Sequence, residues 1–279
     1  MTSDDGWVEI AHAKINIALH VRRKRADGYH DLESLFAFAK DGDVLRAAPA
    51  DELSLTISGP FAGGLSTGAD NLVMRAANAL RQTFGISAGA ALSLEKNLPV
   101  ASGIGGGSAD AAAALRLLSK LWLIDNKAQQ LSEIAVKLGA DVPACLVSQT
   151  LYGDARGDAL TSDNVPILTG TPLLLVNPGL PLSTAAVFGG WDGVDHGALD
   201  RRDPLAGRND LTAAATAIVP AIGAVIALLA AQTGVRLARM SGSGATCFAL
   251  FESAAARDFA AIAVKQTMPE AWCLGSELR

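Results

Sequence analysis

The sequence has few cysteines, and their arrangement predicts neither a disulfide framework nor a zinc site. Cys145, Cys247 and Cys273 are scattered and odd in number, and no CxxC or HExxH spacing occurs. This usage is typical of a reducing compartment, so the cytoplasm is the predicted location. The acidic N-terminus, MTSDDGWVEI, lacks the basic and then apolar pattern of a signal or transit peptide, and we expect neither.

Long apolar runs and an excess of positive charge are also lacking. The longest apolar run, residues 217–231, is interrupted by Pro220 and Gly223, which predicts buried helix and no interaction with a membrane. The net charge of −5 argues against nucleic acid as the main partner, although a small anionic substrate is compatible with it. With 279 residues, of which 50% are hydrophobic, the chain can form one large domain or two medium ones.

Glycine, in contrast, is concentrated in one short stretch. Gly103, Gly105, Gly106 and Gly107 fall within five residues, and Ser108 and an alanine- and leucine-rich run that predicts a helix follow them. A glycine loop at a helix start exposes backbone N–H groups and the positive end of the helix dipole, which favours phosphate. A plain connecting turn is the alternative interpretation.

Two familiar phosphate loops are excluded for this stretch. A Walker A loop ends in Gly-Lys-Ser/Thr, and no lysine lies between Asn97 and Lys120. A dinucleotide fingerprint follows the first strand of a βαβ unit, with an acidic residue about twenty residues later. Here the residues after the helix run into another predicted helix. The stretch therefore predicts a phosphate loop of a third kind.

Three polar residues outside the glycine stretch allow both a structural and a chemical interpretation. Residues 8–21 alternate as a strand, so Lys14 and Asn16 point to the same side. From spacing alone, a half-buried strand with a solvated polar face is the simpler interpretation. Asp141 stands directly before Val142 and Pro143, where capping of a helix is the simpler role.

The order of predicted elements indicates an α+β fold. Strands cluster near the start of the chain, and helices are interleaved later without a regular βαβ alternation. The polar residues 154–164 predict a boundary between one domain of residues 1–158 and another of residues 159–279. Residues 189–203, rich in glycine and aspartate, form a long predicted loop that is a candidate for mobility.

Four motifs in this order resemble the GHMP kinase superfamily, whose members phosphorylate small-molecule alcohols with ATP. They are AKIN at residues 13–16, PVASGIGGGS at 99–108, LGADVP at 138–143 and MSGSGA at 240–245. Together with RADGYHDLES at 25–34, they resemble the branch of the superfamily whose substrate is a sugar alcohol carrying a cytidine diphosphate. The resemblance implies the two-domain GHMP kinase fold, with the active site in the cleft between the domains. It also implies that residues 1–158 form the ATP-binding and catalytic domain and that residues 159–279 form the substrate-binding domain.

The resemblance also implies roles for residues in these motifs. Lys14 and Asp141 are expected to face each other across the reacting hydroxyl group, where Asp141 accepts the proton and Lys14 holds the alkoxide or the γ-phosphate. ATP is expected to bind with Mg²⁺, with Ser108 near the metal and the metal ligands left open. The implied ATP-binding residues are Asn71, Leu72, Lys96, Pro99, Gly103, Gly105, Gly106, Gly107 and Ser108.

The cytidine moiety implies a further set of contacts. By the resemblance, Tyr29 and Phe188 sandwich the cytosine ring, and His30 reads its edge, largely through its backbone. Ordinary aromatic packing is the alternative for Tyr29 and Phe188. Further expected substrate contacts are Asn16, Thr184 and Asp210. Two other functions stay open, namely a GHMP kinase of the homoserine or mevalonate type and a non-catalytic nucleotide-binding protein on this fold. Tyr29 and His30 argue against the first, and Lys14 with Asp141 argues against the second.

Overall fold

The computed structural model describes residues 7–279. The expectation of no signal or transit peptide rests largely on residues 1–6, which lie outside the described residues. The chain divides into two compact units, and each is built from several segments. The first comprises residues 7–13, Asp41–Val100 and Gly106–Val147. The second comprises Lys14–Lys40, Ala101–Gly105 and Ser148–Arg279.

Two long strands run through both units. β1 (Trp7–Lys24) begins in the first unit and ends in the second, and β2 (His30–Ala50) does the reverse. Residues 32–38 and 44–46, which are two separate strand-like runs in the sequence, are thus parts of the single strand β2. Because each unit combines three separate segments of the chain, no single boundary in the sequence divides them. The predicted domain boundary at residue 158 stays a prediction.

The first unit packs helices beside a small group of paired strands. The end of β2 pairs antiparallel with β4 (Gly89–Glu95), which pairs parallel with β3 (Leu53–Ser58). The helices are α1 (Leu72–Phe84), α2 (Gly106–Leu121), α3 (Ala128–Leu138) and α4 (Val142–Val147). α2 contacts the other three helices. It is buried on nearly all sides because its middle is alanine and leucine except at Arg116.

Both ends of α1 are capped by the residues that flank it. The Oδ1 atom of Asn71 accepts from the N–H of Val73 at 2.9 Å, and Gly85 ends the helix in the left-handed conformation with a φ of 65°. Both features follow from residue chemistry, because a short polar side chain satisfies a free N–H at the start and glycine tolerates positive φ at the end.

The second unit holds a separate four-stranded antiparallel sheet in the order β10-β7-β9-β8. Its strands are β7 (Pro172–Asn177), β8 (Val235–Met240), β9 (Cys247–Phe251) and β10 (Trp272–Glu277). In the same unit the start of β2 pairs with β5 (Leu151–Ala155), which pairs with β6 (Ala159–Thr161). The helices are α5 (Thr184–Gly189), α6 (Thr212–Ile218), α7 (Ala221–Ala230) and α8 (Ala254–Thr267). The α+β class is therefore confirmed.

The apolar run at residues 217–231 is divided between two helices. α6 ends at Ile218, and Pro220 precedes α7. On α7, Ile222, Val225 and Leu229 are buried. Across residues 7–279, no helix combines the length and apolar character needed to cross a membrane.

The polar face of β1 is buried, which corrects the simpler interpretation of a solvated face. Lys14, Asn16 and His20 are each only 2–3% exposed. Buried polar side chains are stable only when they are hydrogen-bonded, so each of these residues needs partners inside the protein. The partners of Lys14 and Asn16 are parts of the candidate site.

Candidate active site

Three of the four motifs meet in the second unit. The N–H of Lys14 donates to the carbonyl of Ile104 at 2.9 Å, and the N–H of Asn16 donates to Oγ of Ser241 at 3.2 Å. Ser241 Oγ in turn donates to the carbonyl of Gly103 at 2.9 Å. The first motif, the first part of the glycine stretch and the last motif therefore form one hydrogen-bonded cluster.

Gly103 is required here by close approach of the backbone. Its φ is 78°, which favours glycine. A Cβ at this position would lie 2.5 Å from the carbonyl oxygen of Ser241 and 2.7 Å from that of Gly244. Glycine is thus required at this position for a structural reason that is independent of any ligand, because the main chain of Ser241 and Gly244 occupies the space that a side chain would need.

A chain of hydrogen bonds orients Lys14. Its Nζ donates to Oδ1 of Asn16 at 2.8 Å and lies 5.3 Å from the centre of the Phe36 ring. Asn16 Nδ2 donates to Oγ of Ser34 at 2.8 Å, and that hydroxyl donates to the carbonyl of Ala18 at 2.6 Å. The structure therefore brings together two of the predicted site residues and fixes the direction of the asparagine amide.

Thr184 and Asp210, both predicted substrate contacts, have protein partners in this unit. Thr184 Oγ1 lies 2.9 Å from Oγ of Ser243 in the last motif. The Asp210 carboxylate accepts from the N–H of Val21 at 2.7 Å and from Nε of Arg208 at 2.5 Å. Its side chain is 2% exposed, and each of its two carboxylate oxygens has a partner within the protein. Contact with substrate stays a prediction for both residues.

Two of the three residues predicted to bind a base, His30 and Phe188, lie in an aromatic cluster. The His30 ring centre is 4.9 Å from that of Phe188 and 5.5 Å from that of Trp191. Tyr29 is 54% exposed, and the guanidinium of Arg156 lies 5.2 Å from its ring centre. The structure thus brings His30 and Phe188 together and gives Tyr29 a cationic neighbour.

Trp191 is not among the residues that the sequence predicts for this cluster. It follows Phe188 by three residues, the spacing that places two side chains on one side of a helical turn, and this is the signal that points to it. Among the described residues, its buried Nε1–H has no hydrogen-bond partner. Burial, and after it the charge of Lys24, lower the pKa of His30, which favours the neutral imidazole.

A buried ion network lies beneath the start of α2 in the first unit. Lys96 Nζ donates to Oδ2 of Asp110 at 2.8 Å and also to Oδ2 of Asp43. Asp43 Oδ1 accepts from the N–H groups of Asn97 at 2.5 Å and Leu98 at 2.8 Å. Burial raises the pKa of Asp110 to about 7, against the lowering effect of Lys96. The sequence predicts only Lys96 here, because positions 43, 96 and 110 share no local pattern.

The other predicted ATP-binding residues of the first unit adjoin this network. Gly106 and Gly107 begin α2. A Cβ on Gly106 would lie 3.3 Å from Lys96 Nζ, and one on Gly107 would lie 3.4 Å from Cδ1 of Leu72. Ser108 is half-buried in the first turn of α2, and Pro99 is buried. The structure thus groups Leu72, Lys96 and the second part of the glycine stretch, while Gly105 has a φ of 66° and belongs with Gly103 to the second unit.

Asp141 belongs to the first unit, and its main chain forms a hydrogen bond there. Its carbonyl accepts from the N–H of Cys145 at 3.0 Å, and the N–H of Val142 donates to the carbonyl of Gly139 at 3.2 Å. The residue is half-buried and directly precedes α4. Its predicted part in proton transfer stays a prediction. Within the part of the chain that the structure describes, no group of three or more His, Cys, Asp or Glu side chains could hold a metal ion.

Comparison with known proteins places these features among kinases. Residues 71–149 match the family described as GHMP kinases N terminal domain, and residues 194–270 match GHMP kinases C terminal. Proteins of Rhizorhabdus wittichii and Novosphingobium aromaticivorans, both named 4-diphosphocytidyl-2-C-methyl-D-erythritol kinase, are similar to this chain. They are 56% and 50% identical, each over 97% of this chain and over 94% and 92% of their own lengths.

Solved structures give the same picture of the fold. A crystal structure of 4-(cytidine 5'-diphospho)-2C-methyl-D-erythritol kinase is 31% identical, with a TM-score of 0.81 over 97% of this chain and 99% of that one. Homoserine kinase from Cytophaga hutchinsonii is 17% identical and shares the fold, with a TM-score of 0.77 over 100% of this chain and 96% of that one. These matches confirm the two-domain fold that the four motifs predict.

Proposed function

Since the chain belongs to the family of 4-diphosphocytidyl-2-C-methyl-D-erythritol kinases within the GHMP kinases, we propose that it phosphorylates the 2-hydroxyl group of that compound with ATP. The observation that carries the proposal is the 56% identity over 97% of the chain to a relative of that name. The proposed place of the reaction is the non-mevalonate route to isoprenoid precursors, in the cytoplasm.

The proposed reaction exchanges one bond to phosphorus for another. The substrate hydroxyl oxygen forms a bond to the γ-phosphorus of ATP, and the bond from that phosphorus to the β–γ bridging oxygen breaks, which releases ADP. We assign the hydroxyl proton to the Asp141 carboxylate. We assign to Lys14 the balancing of negative charge on the alkoxide or the transferred group. Positioning and charge balance dominate the catalysis of such transfers.

The hydrogen bonds behind Lys14 support its assigned role. Asn16 Oδ1 accepts from the ammonium at 2.8 Å, and Ser34 holds the other end of the same amide. An ammonium fixed in this way needs little reorganisation when charge develops in front of it, which is the condition for effective electrostatic stabilisation.

The glycine stretch is the proposed binding site of the triphosphate. Backbone N–H groups at the start of α2 and the positive end of its dipole are suited to phosphate oxygens. Leu72, beside Gly107, is the proposed apolar border of the adenine site, together with Asn71 and Pro99. Mg²⁺ is included as part of the ATP complex and would be held by phosphate oxygens and water, as is common for this ion. When bound, it neutralises charge on the phosphates.

The aromatic cluster is the proposed site of the cytosine ring. Stacking on Tyr29 and Phe188 would hold a base without choosing among bases. Hydrogen bonds at His30, largely through its backbone, would then provide the choice, because a backbone offers one N–H donor and one C=O acceptor. The 4.9 Å packing of His30 against Phe188 supports a shared site. Asn16, Thr184 and Asp210 are kept as proposed further substrate contacts.

One experiment separates this proposal from its alternatives. The purified protein is incubated with ATP, Mg²⁺ and one of three alcohols, namely 4-diphosphocytidyl-2-C-methyl-D-erythritol, homoserine or mevalonate, and ADP release is followed. We expect release with the first compound alone. Faster release with either other alcohol would assign a different kinase activity. Calorimetric binding of ATP without ADP release from any mixture would indicate a non-catalytic nucleotide-binding protein.

A further inference from the structure

Three ionisable side chains of the first unit, Asp43, Lys96 and Asp110, are buried together, although the proposed reaction transfers nothing through them. Their exposures are 0%, 3% and 4%. Burying charged groups is costly unless they are well paired, and apolar replacements of similar size often stabilise a fold as well or better. A network of two acids and one base in the interior therefore calls for a reason beyond stability.

The network holds the glycine stretch at both of its ends. On the N-terminal side, Asp43 Oδ1 accepts hydrogen bonds from the N–H groups of Asn97 and Leu98, which directly precede the motif PVASGIGGGS that contains the glycines. On the C-terminal side, Lys96 Nζ binds Asp110, the fifth residue of α2, at 2.8 Å. Because Lys96 also binds Asp43, one continuous set of hydrogen bonds links the two ends.

The ammonium of Lys96 also lies directly against the first turn of α2. The position of a Cβ on Gly106 is 3.3 Å from its Nζ and 3.8 Å from Oδ2 of Asp43. The absence of a side chain at Gly106 thus lets the ion network approach the backbone whose N–H groups are proposed to bind phosphate. Donors of this kind are effective only when they are held in place before the ligand arrives.

We propose that Asp43, Lys96 and Asp110 are positioning residues that fix both ends of the glycine stretch in the geometry that binds the ATP phosphates. The inference rests on the proposed function. It gives Lys96 a role that differs from direct contact with the nucleotide, because its side chain faces two carboxylates of the protein. The network acts through the backbone it holds.

The test replaces the ammonium without changing the bulk of the side chain. Lys96→Met removes the three N–H donors and leaves a side chain of similar length. Because misplacement of binding groups by about 1 Å can reduce activity about a hundredfold, we expect the Kd and the KM for ATP to rise at least about tenfold. The KM for the cytidine substrate should stay within about twofold, because its proposed contacts belong to the second unit. Lys96→Arg, which keeps the charge and the donors, should recover part of the affinity for ATP.

A matched control and a second variant keep the test decisive. Ser119→Ala alters another buried polar side chain of α2, whose hydroxyl has no hydrogen-bond partner within residues 7–279, and it should leave both KM values unchanged. If Lys96→Met does not fold by circular dichroism, Asp43→Asn, which releases Asn97 and Leu98 from a carboxylate, replaces it with the same expected result.

Two outcomes would overturn the inference. One is a lower melting temperature with unchanged affinity for ATP, and the other is an equal loss of affinity for both substrates. ATP affinity is measured by calorimetry with a non-hydrolysable analogue, so it does not depend on turnover. Failure of the unmodified protein to release ADP would refute the proposed function, while the calorimetric comparison would still decide the positioning role.

Discussion

Replacing Gly103 by alanine should damage the site far more than its small size suggests. Alanine at a φ of 78° carries a conformational cost of about 1–2 kcal/mol. The added Cβ would also lie 2.5 Å from the Ser241 carbonyl oxygen, and that oxygen belongs to the backbone and cannot turn away like a flexible side chain. Restoring a separation of about 3 Å requires a backbone shift of about half an ångström, in a segment bonded to Asn16.

The expected consequences are a loss of stability and a larger loss of activity. Each kcal/mol lowers the melting temperature by about 2–4 °C in a chain of this size, so strain and overlap together should lower it by more than about 4 °C. Displacement of the segments that carry Lys14 and Gly103 should reduce kcat/KM by one to two orders of magnitude, roughly. The measurements are thermal unfolding by circular dichroism and ADP release with the cytidine substrate.

Gly85 provides a matched control. Its φ is 65°, and nothing lies within 4 Å of an added Cβ, so Gly85→Ala carries the conformational cost without the overlap. We expect it to lower the melting temperature by about 2–4 °C, for about 1 kcal/mol, and to leave turnover unchanged. Equal melting temperatures for the two variants, together with full activity of Gly103→Ala, would refute the argument from close approach.

Three further predictions concern single residues. Asp141→Asn should lower kcat by about two to four orders of magnitude while calorimetry finds unchanged ATP binding, and unchanged turnover would remove Asp141 as the proton acceptor. Tyr29→Ala should raise the KM for the cytidine substrate and leave that for ATP unchanged, whereas equal effects on both would make Tyr29 purely structural. For Asp110 the pKa of about 7 in the folded state lies above its value of about 3.9 in an unfolded chain. Folding therefore takes up a proton between these pH values, and its contribution to stability is lost as the pH rises through 7. Urea unfolding at pH 5 and pH 8 should then show a larger fall in stability for the unmodified protein than for Asp110→Asn, and equal falls would contradict the raised pKa.

Elements whose ends are set by local chemistry are predictable from this sequence. Asn71 and Gly85 cap α1, and the side chain of Ser183 accepts from the N–H of Ala186 at the start of α5. Such signals act within a few residues, so they need no knowledge of the rest of the fold. The four motifs predict the fold for a related reason. Each is a short run of glycine and polar residues at fixed spacing, so it can be identified from the sequence alone.

The continuity of β2 could not be predicted in this way. Residues 40–43, Lys-Asp-Gly-Asp, have the composition of a turn. They remain in the strand because the buried carboxylate of Asp43 is satisfied by Lys96 and by backbone N–H groups. Gly42 is needed for a similar reason, since a Cβ there would lie 2.0 Å from the carbonyl oxygen of Ala11. Both causes are distant in sequence.

In the candidate site, too, local sequence predicts the residues but not their partners that are distant in sequence. Lys14 and Asn16 stand in a recognisable motif, but their burial depends on Ser34 and Ser241, which no local pattern links to them. Trp191 lacks a motif of its own, and its place beside His30 appears only when the chain is folded. Hydrophobic periodicity therefore does not show which residues, distant in sequence, form hydrogen bonds with a buried polar group.

The interleaved segments of the two units limit how the protein can be divided experimentally. A fragment that begins at residue 159 would lack residues Lys14–Lys40, which belong to the second unit. A fragment of residues 1–158 would carry those strand segments without most of that unit's sheet and core. We expect neither fragment to fold alone, so co-expressed halves should be recovered only as a pair. Ligand binding therefore has to be assigned by substitutions in the full chain.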